Sequence, residues 1–161
     1  MIKYYTEKDK IRFEEFVLNH PHGTFMQSSF WGKVKSDWDN IIIYRENAEG
    51  LITGTMNMLI RRLPVPFLNV TIIYIPKGPV CNFSDTETFE ELLNEAKKIA
   101  KQKKACVIKM DPEILAGNEE IISLCSKENL KITSLGNAYE NMQPKFNHKI
   151  DIKNVEKENL M

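Results

Sequence analysis

The first third of the chain carries apolar residues at helical spacing. Phe13, Phe16 and Val17 follow the i, i+3, i+4 pattern of one helix face, and Thr6 stands where a helix cap is favoured. The stretch "HPHG" (residues 20–23) then interrupts the pattern. A second, shorter helix is predicted with Phe30, Trp31 and Val34 as its apolar positions.

The centre of the chain changes to strand spacing. Residues 41–44 ("IIIY") predict one strand, and a turn in "ENAEG" follows. Residues 51–62 ("LITGTMNMLIRR") alternate with period two, which predicts a half-buried strand. Its apolar face would hold Ile52, Met56, Met58 and Ile60, and its polar face Thr53, Thr55 and Asn57. The loop "LPVP" closes a hairpin, and residues 67–75 return as the partner strand.

The second half of the chain contains the clearest helix pattern. This helix begins at Ser84 or Asp85, and residues 105–110 ("ACVIKM") then predict a short central strand, parallel to its neighbour. The apolar stripe of this helix consists of Phe89, Leu92, Leu93, Ala96, Ile99 and Ala100. The remaining predicted elements are a helix at 119–128 and strands at 130–135 and 146–152. The predicted order ααβββαβαβ, with one late strand, describes a mixed α/β fold.

Composition and charge exclude several classes of protein. A chain of 161 residues is long enough for one domain with a core. The balance of 22 basic and 22 acidic residues gives no bulk attraction to nucleic acid or membranes. The N-terminus lacks the pattern of a secretory signal, and no apolar run approaches the roughly 18 residues of a membrane span. Cys81, Cys106 and Cys125 lack C-x-x-C spacing, which favours reduced thiols in a cytoplasmic protein.

Cofactor and metal motifs are not found in the sequence. The seven glycines are isolated, so neither a dinucleotide nor a P-loop motif occurs, nor the glycine turn with which N-acetyltransferases bind acetyl-CoA. His20 and His22 have no cysteine or acidic partner at ligand spacing, so we expect no metal site. Cys106 lies in the middle of a predicted strand, where we expect a buried and unreactive thiol. We therefore predict neither a cofactor nor a metal.

The stretch "YIPKGPV" (residues 74–80) ends an apolar run in an unusually stiff corner. Each proline fixes its own φ and removes one backbone donor, so the peptide is held in a defined shape. Lys77 therefore occupies a fixed place, which is a first indication of a site.

Three further stretches carry candidate chemistry, each with a structural alternative. "MQSSFWGKVK" (residues 26–35) places Lys33 and Lys35 beside two aromatic residues, as an anion site or as a solvated helix face. Asp111 follows the strand at 105–110, where a carboxylate can hold or deprotonate an amine, or can cap the next turn. "NAYENMQPKF" (residues 137–146) brings polar amides that can hold a peptide-like substrate or satisfy a loop.

Taken together and in order, four segments resemble the first lobe of the FemABX family, over about residues 12–152. These segments are "FMQSSFWGKVK", "YIPKGPV", "IKMDPE" and "NMQPKFNHKIDI". The family consists of tRNA-dependent aminoacyltransferases that build the interpeptide bridge of bacterial peptidoglycan. The resemblance implies a single GNAT-like lobe, in which helices flank a mixed sheet.

The resemblance also implies substrates and residue roles. An amino acid would pass from aminoacyl-tRNA to the stem-peptide amine of a muramyl pentapeptide precursor that is linked to UDP or to a lipid. Lys35 falls on the position of a family lysine that touches the diphosphate, and Asp111 on an acid proposed to contact or deprotonate the accepting amine. The implied site is Asp111 as the catalytic residue, with Lys35, Lys77, Gly78, Asn141 and Gln143 binding substrate.

One departure from the family pattern qualifies this expectation. Family members carry a second lobe, and residues 1–161 correspond to the first lobe only, so we expect a fragment that binds the precursor. The alternative is a non-catalytic module that binds muramyl peptides. Acetyl-CoA-dependent N-acetylation is disfavoured by the missing glycine turn.

Overall fold

The computed structural model describes residues 1–114 and 117–133. The chain divides into two compact units, Met1–Asn129 and Leu130–Met161, and the elements below belong to the first. The strands are β1 (Ile2–Tyr4), β2 (Asp39–Glu46), β3 (Ile52–Arg62), β4 (Thr71–Ile75), β5 (Val80–Cys81) and β6 (Ala105–Met110). The helices are α1 (Lys10–Asn19), α2 (Trp31–Val34), α3 (Thr86–Gln102) and α4 (Glu119–Lys127), with 3-10 turns at Glu7–Asp9 and Phe25–Gln27.

Within these described residues, the strands form one mixed sheet. Its order is β1-β2-β3-β4-β6, and β5 pairs with β3 beside β4. All pairings are antiparallel except that of β4 with β6, which is parallel. The parallel pairing confirms the prediction made from the apolar run at 105–110. The crossover between these two strands contains α3, as a parallel connection requires.

Strand β3 is buried on both faces, so the prediction of a half-buried strand was wrong. One face packs in the main core with Leu92, which belongs to the apolar stripe of α3. The other face is covered as well: Thr55 and Asn57 are fully buried. Phe13 and Val17 of α1 form a second apolar cluster with Ile42 and Tyr44 of β2, which accounts for the buried second face. A polar residue in a strand can be buried when neighbours satisfy it, and the Thr55 hydroxyl donates to the carbonyl of Ile43.

The predicted helices form, with differences at the N-terminus. Thr6 precedes the 3-10 turn rather than α1 itself, and its backbone N–H and hydroxyl both donate to the Asp9 carboxylate. Helix α3 begins after Asp85, whose side chain accepts from the Thr88 N–H, as expected for a cap. Strand β1 was not predicted, because its three residues are too few to show a period and its pairing with β2 is non-local.

Strand β6 corrects the expectation for Cys106. The residue is exposed, since β6 pairs with β4 alone among the described residues and much of its surface is uncovered there. The predicted strand at 130–135 shows no strand over residues 130–133, and the remaining predicted strand at 146–152 lies outside the described residues. Among the described helices, none is long and apolar enough to cross a membrane.

Candidate functional site

The stiff corner at residues 76–79 connects two strands that pair with the same edge of β3. Tyr74 of β4 lies opposite Leu59, and Val80 of β5 lies opposite Thr55. Residues 76–79 lie between these two pairings and do not pair with β3. The stretch of β3 around Asn57 therefore has neither β4 nor β5 beside it. A buried backbone left without a strand partner needs another hydrogen-bonding group.

The side chain of Gln27 fills this gap. Its Oε1 accepts from the backbone N–H of Asn57 at 2.8 Å. Its Nε2 donates to the Pro76 carbonyl at 2.6 Å, and lies 3.4 Å from the carbonyl oxygen of Asn57. Gln27 is fully buried at the end of the 3-10 turn Phe25–Gln27. One side-chain amide therefore takes the place of a strand residue and fastens the corner to β3.

The glycine of the corner is required by this amide. A Cβ atom at Gly78 would lie 2.6 Å from the Cδ and Nε2 atoms of Gln27, well inside van der Waals contact. The Gln27 amide is held by its own hydrogen bonds, so it has little freedom to move aside. The peptide bond between Gly78 and Pro79 is cis.

Asp111 also fastens this corner. The residue directly follows β6, and because β6 runs parallel to β4, the carboxyl ends of both strands meet here. Asp111 Oδ1 accepts from the backbone N–H of Lys77 at 2.8 Å, and Oδ2 accepts from the Tyr74 hydroxyl at 3.2 Å. The Lys77 Nζ atom lies 3.7 Å from Oδ2. The carboxylate thus orients a lysine whose φ is +50°, a backbone conformation that non-glycine residues seldom adopt.

Lys35 lies at the C-terminal end of α2. Its Nζ atom stands 5.5 Å from the centre of the Trp31 ring, and the residue is exposed. Its neighbour Lys33 is also exposed, but its Nζ lies 3.8 Å from a Glu7 carboxylate oxygen and 5.6 Å from the centre of the Phe30 ring. Of the two lysines, Lys35 has no acidic partner within the described residues.

The structure therefore brings together part of the predicted site. Lys77, Gly78 and Asp111 meet at one corner, and Asn141 and Gln143 lie outside the described residues. Asp111 contacts the preceding corner, and its alternative role as a cap of the following turn stays a prediction. Sequence reasoning missed Gln27, because an isolated glutamine in a polar stretch looks the same as a surface residue.

Cys81 and His20 are two further groups whose pKa values are shifted by burial. Cys81 is buried, and this burial, with a smaller effect of the Asp85 charge, raises the pKa of its thiol to about 12. A thiol with that pKa is not a nucleophile at neutral pH. Burial, and then the neighbouring His22, lower the pKa of His20. In the described part of the chain, no three His, Cys, Asp or Glu residues are arranged to hold a metal ion.

Comparisons with known proteins give one family. The model of the FemAB family matches residues 8–161. The UDP-N-acetylmuramoylpentapeptide-lysine N(6)-alanyltransferase of Weissella viridescens is 30% identical over 145 residues, which cover 88% of this chain and 42% of that enzyme. The lipid II:glycine glycyltransferase of Staphylococcus aureus strain USA300 is 35% identical over 105 residues, which cover 63% of this chain and 24% of that enzyme. The chain thus spans less than half the length of these relatives.

Solved structures agree on the fold. The crystal structure of FemX superimposes with a TM-score of 0.68 at 28% identity, over 80% of this chain and 31% of that one. The glucosamine-6-phosphate N-acetyltransferase of Arabidopsis thaliana superimposes with a TM-score of 0.57 at 16% identity, over 84% of this chain and 96% of that one. The second likeness shows the fold alone, and it confirms the expected GNAT-like arrangement of helices around a mixed sheet.

Proposed function

This chain belongs to the FemAB family, and on that premise we propose that it is the precursor-binding lobe of a peptidoglycan-bridge aminoacyltransferase. The reaction is the transfer of an amino acid from aminoacyl-tRNA to the stem-peptide amine of a muramyl pentapeptide. The acceptor carries UDP or a lipid, and a cytoplasmic site of action belongs to the same proposal. Support comes from two relatives whose names describe transfer of alanine or glycine to such acceptors.

The observation that carries this proposal is the contact between Asp111 and the Lys77 corner. It joins the carboxyl ends of β4 and β6, two adjacent parallel strands. Ligands of open α/β sheets bind at this end of the strands, because the loops there enclose a crevice. An oriented carboxylate at that place suits an amine ligand.

The chemistry asks little of the protein beyond positioning. The acceptor nitrogen forms a bond to the ester carbonyl carbon, and the bond from that carbon to the tRNA oxygen breaks. The proton that the nitrogen loses ends on the departing tRNA oxygen, which leaves as a hydroxyl group. We assign to Asp111 the contact with the accepting amine through Oδ2, whose charge stabilises the positive charge that develops on nitrogen. Lys77 and Tyr74 hold that oxygen at a defined place, which is the advantage of a fixed corner over a mobile loop.

The proposed grip on the diphosphate is Lys35. Its ammonium group is exposed, lies over Trp31 and lacks an acidic partner in the described residues, so it is available to an anion. Lysine binds phosphate as a point charge. Gly78, Asn141 and Gln143 complete the proposed binding set.

The first experiment measures binding of a UDP-linked muramyl pentapeptide by calorimetry. Lys35→Ala should weaken affinity by about tenfold or more, since a hydrogen bond to a charged group contributes roughly 1.5–3 kcal/mol. Lys33→Ala is a matched control, because that lysine lies two residues before Lys35 but pairs with Glu7. Equal affinity of the Lys35→Ala protein and the parent would contradict the role of Lys35.

The second experiment separates an enzyme from a binding module. Amino acid transfer from charged tRNA to the same precursor is measured with the chain alone and with a two-lobed family enzyme that carries this lobe. Precursor binding without transfer by either protein would support the non-catalytic module. Transfer by the two-lobed protein alone would assign the missing steps to the second lobe.

A further inference from the structure

The hairpin tip between β3 and β4, residues 64–69, is an exposed apolar surface. All six positions are exposed, and the sequence there is "PVPFLN". Phe67 is as exposed as a free side chain, at 107% of the reference area, and Leu68 and Val65 are 57% and 40% exposed. Apolar side chains grouped at one projecting loop differ from the scattered exposed residues of an ordinary surface.

The other hairpin of β3 shows that this composition is not needed to make a turn. Between β2 and β3 the chain uses a polar turn, in which Asn47 Oδ1 accepts from the Leu51 N–H and Gly50 supplies a φ of +79°. The β3–β4 tip has no glycine, and its Phe67 adopts a φ of +64°. An aromatic residue in that conformation is uncommon, so the loop keeps its aromatic side chain despite a backbone cost.

Five basic residues lie at the end of the sheet that carries the tip, and one of them, Arg61, has its guanidinium 5.5 Å from the centre of the Trp38 ring. Thr71, which lies opposite Arg62, donates its N–H to the Lys104 carbonyl and its hydroxyl to the Lys103 carbonyl. The end of α3 is thereby attached to the base of the hairpin. Within the described residues, no ion pair is formed by the cations at this end of the sheet, which are Arg61, Arg62, Lys101, Lys103 and Lys104.

We propose that the tip inserts Val65, Phe67 and Leu68 into the interfacial region of an anionic lipid bilayer, while the five basic residues at this end of the sheet contact its headgroups. Apolar side chains with basic residues beside them fit such a surface, because the free energies of apolar burial and of attraction to anionic headgroups add. RNA would engage the cations and stack on Phe67, but it offers nothing to the aliphatic side chains of Val65 and Leu68. This inference stands apart from the proposed transfer reaction, since it uses none of the residues assigned to it.

The test is co-sedimentation of the full chain with phosphatidylcholine vesicles, with and without phosphatidylglycerol. We expect binding to the anionic vesicles and weak binding to the neutral ones, with affinity falling as salt is raised. The double variant Phe67→Ser, Leu68→Ser should bind anionic vesicles at least about tenfold more weakly, because burying each of these side chains is favourable. Lys103→Ala, Lys104→Ala should weaken binding about fivefold for each charge removed.

The matched control is Leu51→Ser, at the other hairpin of the same strand. Leu51 is 64% exposed, similar to Leu68, and its loss should leave vesicle binding unchanged. Thermal unfolding of each variant checks that the fold is intact. The proposal is overturned by absence of binding to anionic vesicles, by equal binding of the parent and the Phe67→Ser, Leu68→Ser variant, or by binding of RNA alone.

A second measurement reports the depth of insertion directly. The Phe67→Trp variant, compared with the parent that holds Trp31 and Trp38, should gain an emission that shifts to shorter wavelength on adding anionic vesicles. Brominated acyl chains should quench this added emission. Emission that stays solvent-like while the protein sediments with the vesicles would mean adsorption through charge alone, which contradicts insertion of the tip.

Discussion

The corner at residues 76–79 and the hairpin tip at residues 64–69 are built from similar residues and have opposite surroundings. Each contains two prolines, and each holds a non-glycine residue at positive φ, Lys77 at +50° and Phe67 at +64°. The corner is fastened by side chains from two other elements, Gln27 and Asp111. The described contacts of the tip are backbone hydrogen bonds within its own hairpin.

The difference shows that proline makes a loop stiff but does not give it a position. Proline restricts the conformations of a segment, whether that segment lies in the core or in solvent. Position requires partners from distant parts of the chain, and at the corner these come from residues 50 positions before and 34 positions after Lys77. The corner is therefore suited to hold a reacting group, and the tip to present a surface.

The largest effect is expected from removing the amide that fastens the corner. Gln27→Ala leaves the Asn57 N–H and the Pro76 carbonyl buried without their partner, at roughly 1–3 kcal/mol for each group. We expect the free energy of unfolding, measured in urea, to fall by about 2–5 kcal/mol. The exposed Gln102→Ala at the end of α3 is the control and should change it by less than about 0.5 kcal/mol. Equal stability of the Gln27→Ala and Gln102→Ala variants would contradict the claim that Gln27 fastens the corner, and with it the contrast drawn between the corner and the tip.

A smaller loss is expected from adding one methyl group to the corner. Gly78→Ala should lower the free energy of unfolding by about 1–3 kcal/mol, because its Cβ collides with Gln27. In the Gln27→Ala background the same change should be nearly neutral, since the obstacle is gone. A double-mutant cycle in urea measures this coupling, and additive effects would show that Gln27 is not the reason for the glycine.

Two substitutions of Asp111 distinguish its structural role at the corner from the role of its charge. Asp111→Ala removes the acceptor of the Lys77 N–H and should cost about 1–3 kcal/mol, whereas Asp111→Asn keeps an acceptor and should cost less than about 1 kcal/mol. If the carboxylate serves the accepting amine, Asp111→Asn in a two-lobed enzyme should still lose on the order of 10²-fold in transfer rate. Full activity of that variant would reduce Asp111 to a residue that holds the corner.

The smallest effect is expected at the tip. Phe67→Gly relieves the positive φ of an aromatic residue but increases the freedom of the unfolded chain, and these contributions oppose each other. We expect a change between zero and about 1 kcal/mol of stabilisation, measured as a shift in thermal unfolding. A clear loss of stability would mean that Phe67 packs against the protein, which would contradict both the comparison and the proposed insertion.

Local patterns in the sequence predicted much of the fold. The helical stripe of α3, with Leu92 fully buried, and the alternation in β3 were readable because their periods match helix and strand geometry. Burial on the second face of β3 was not readable, since the residues that cover it lie in α1, far away in sequence. The exposure of Cys106 was missed for a similar reason. The spacing of apolar residues predicts a strand, but it does not show where in the sheet that strand lies.

Some features of the candidate site could likewise be predicted from the sequence, and others could not. The sequence by itself determined that residues 74–80 form a stiff corner, that Asp111 follows a strand, and that four segments match one family, since each is a property of neighbouring residues. Only the tertiary structure decided that Gln27 replaces a strand partner, that Gly78 is required by Gln27, and that Asp111 orients Lys77. These hydrogen bonds and close contacts join residues that are far apart in the sequence and that only the folded sheet brings together. The sequence does not show which buried backbone group lacks a strand partner, so it could not predict which side chain would supply one.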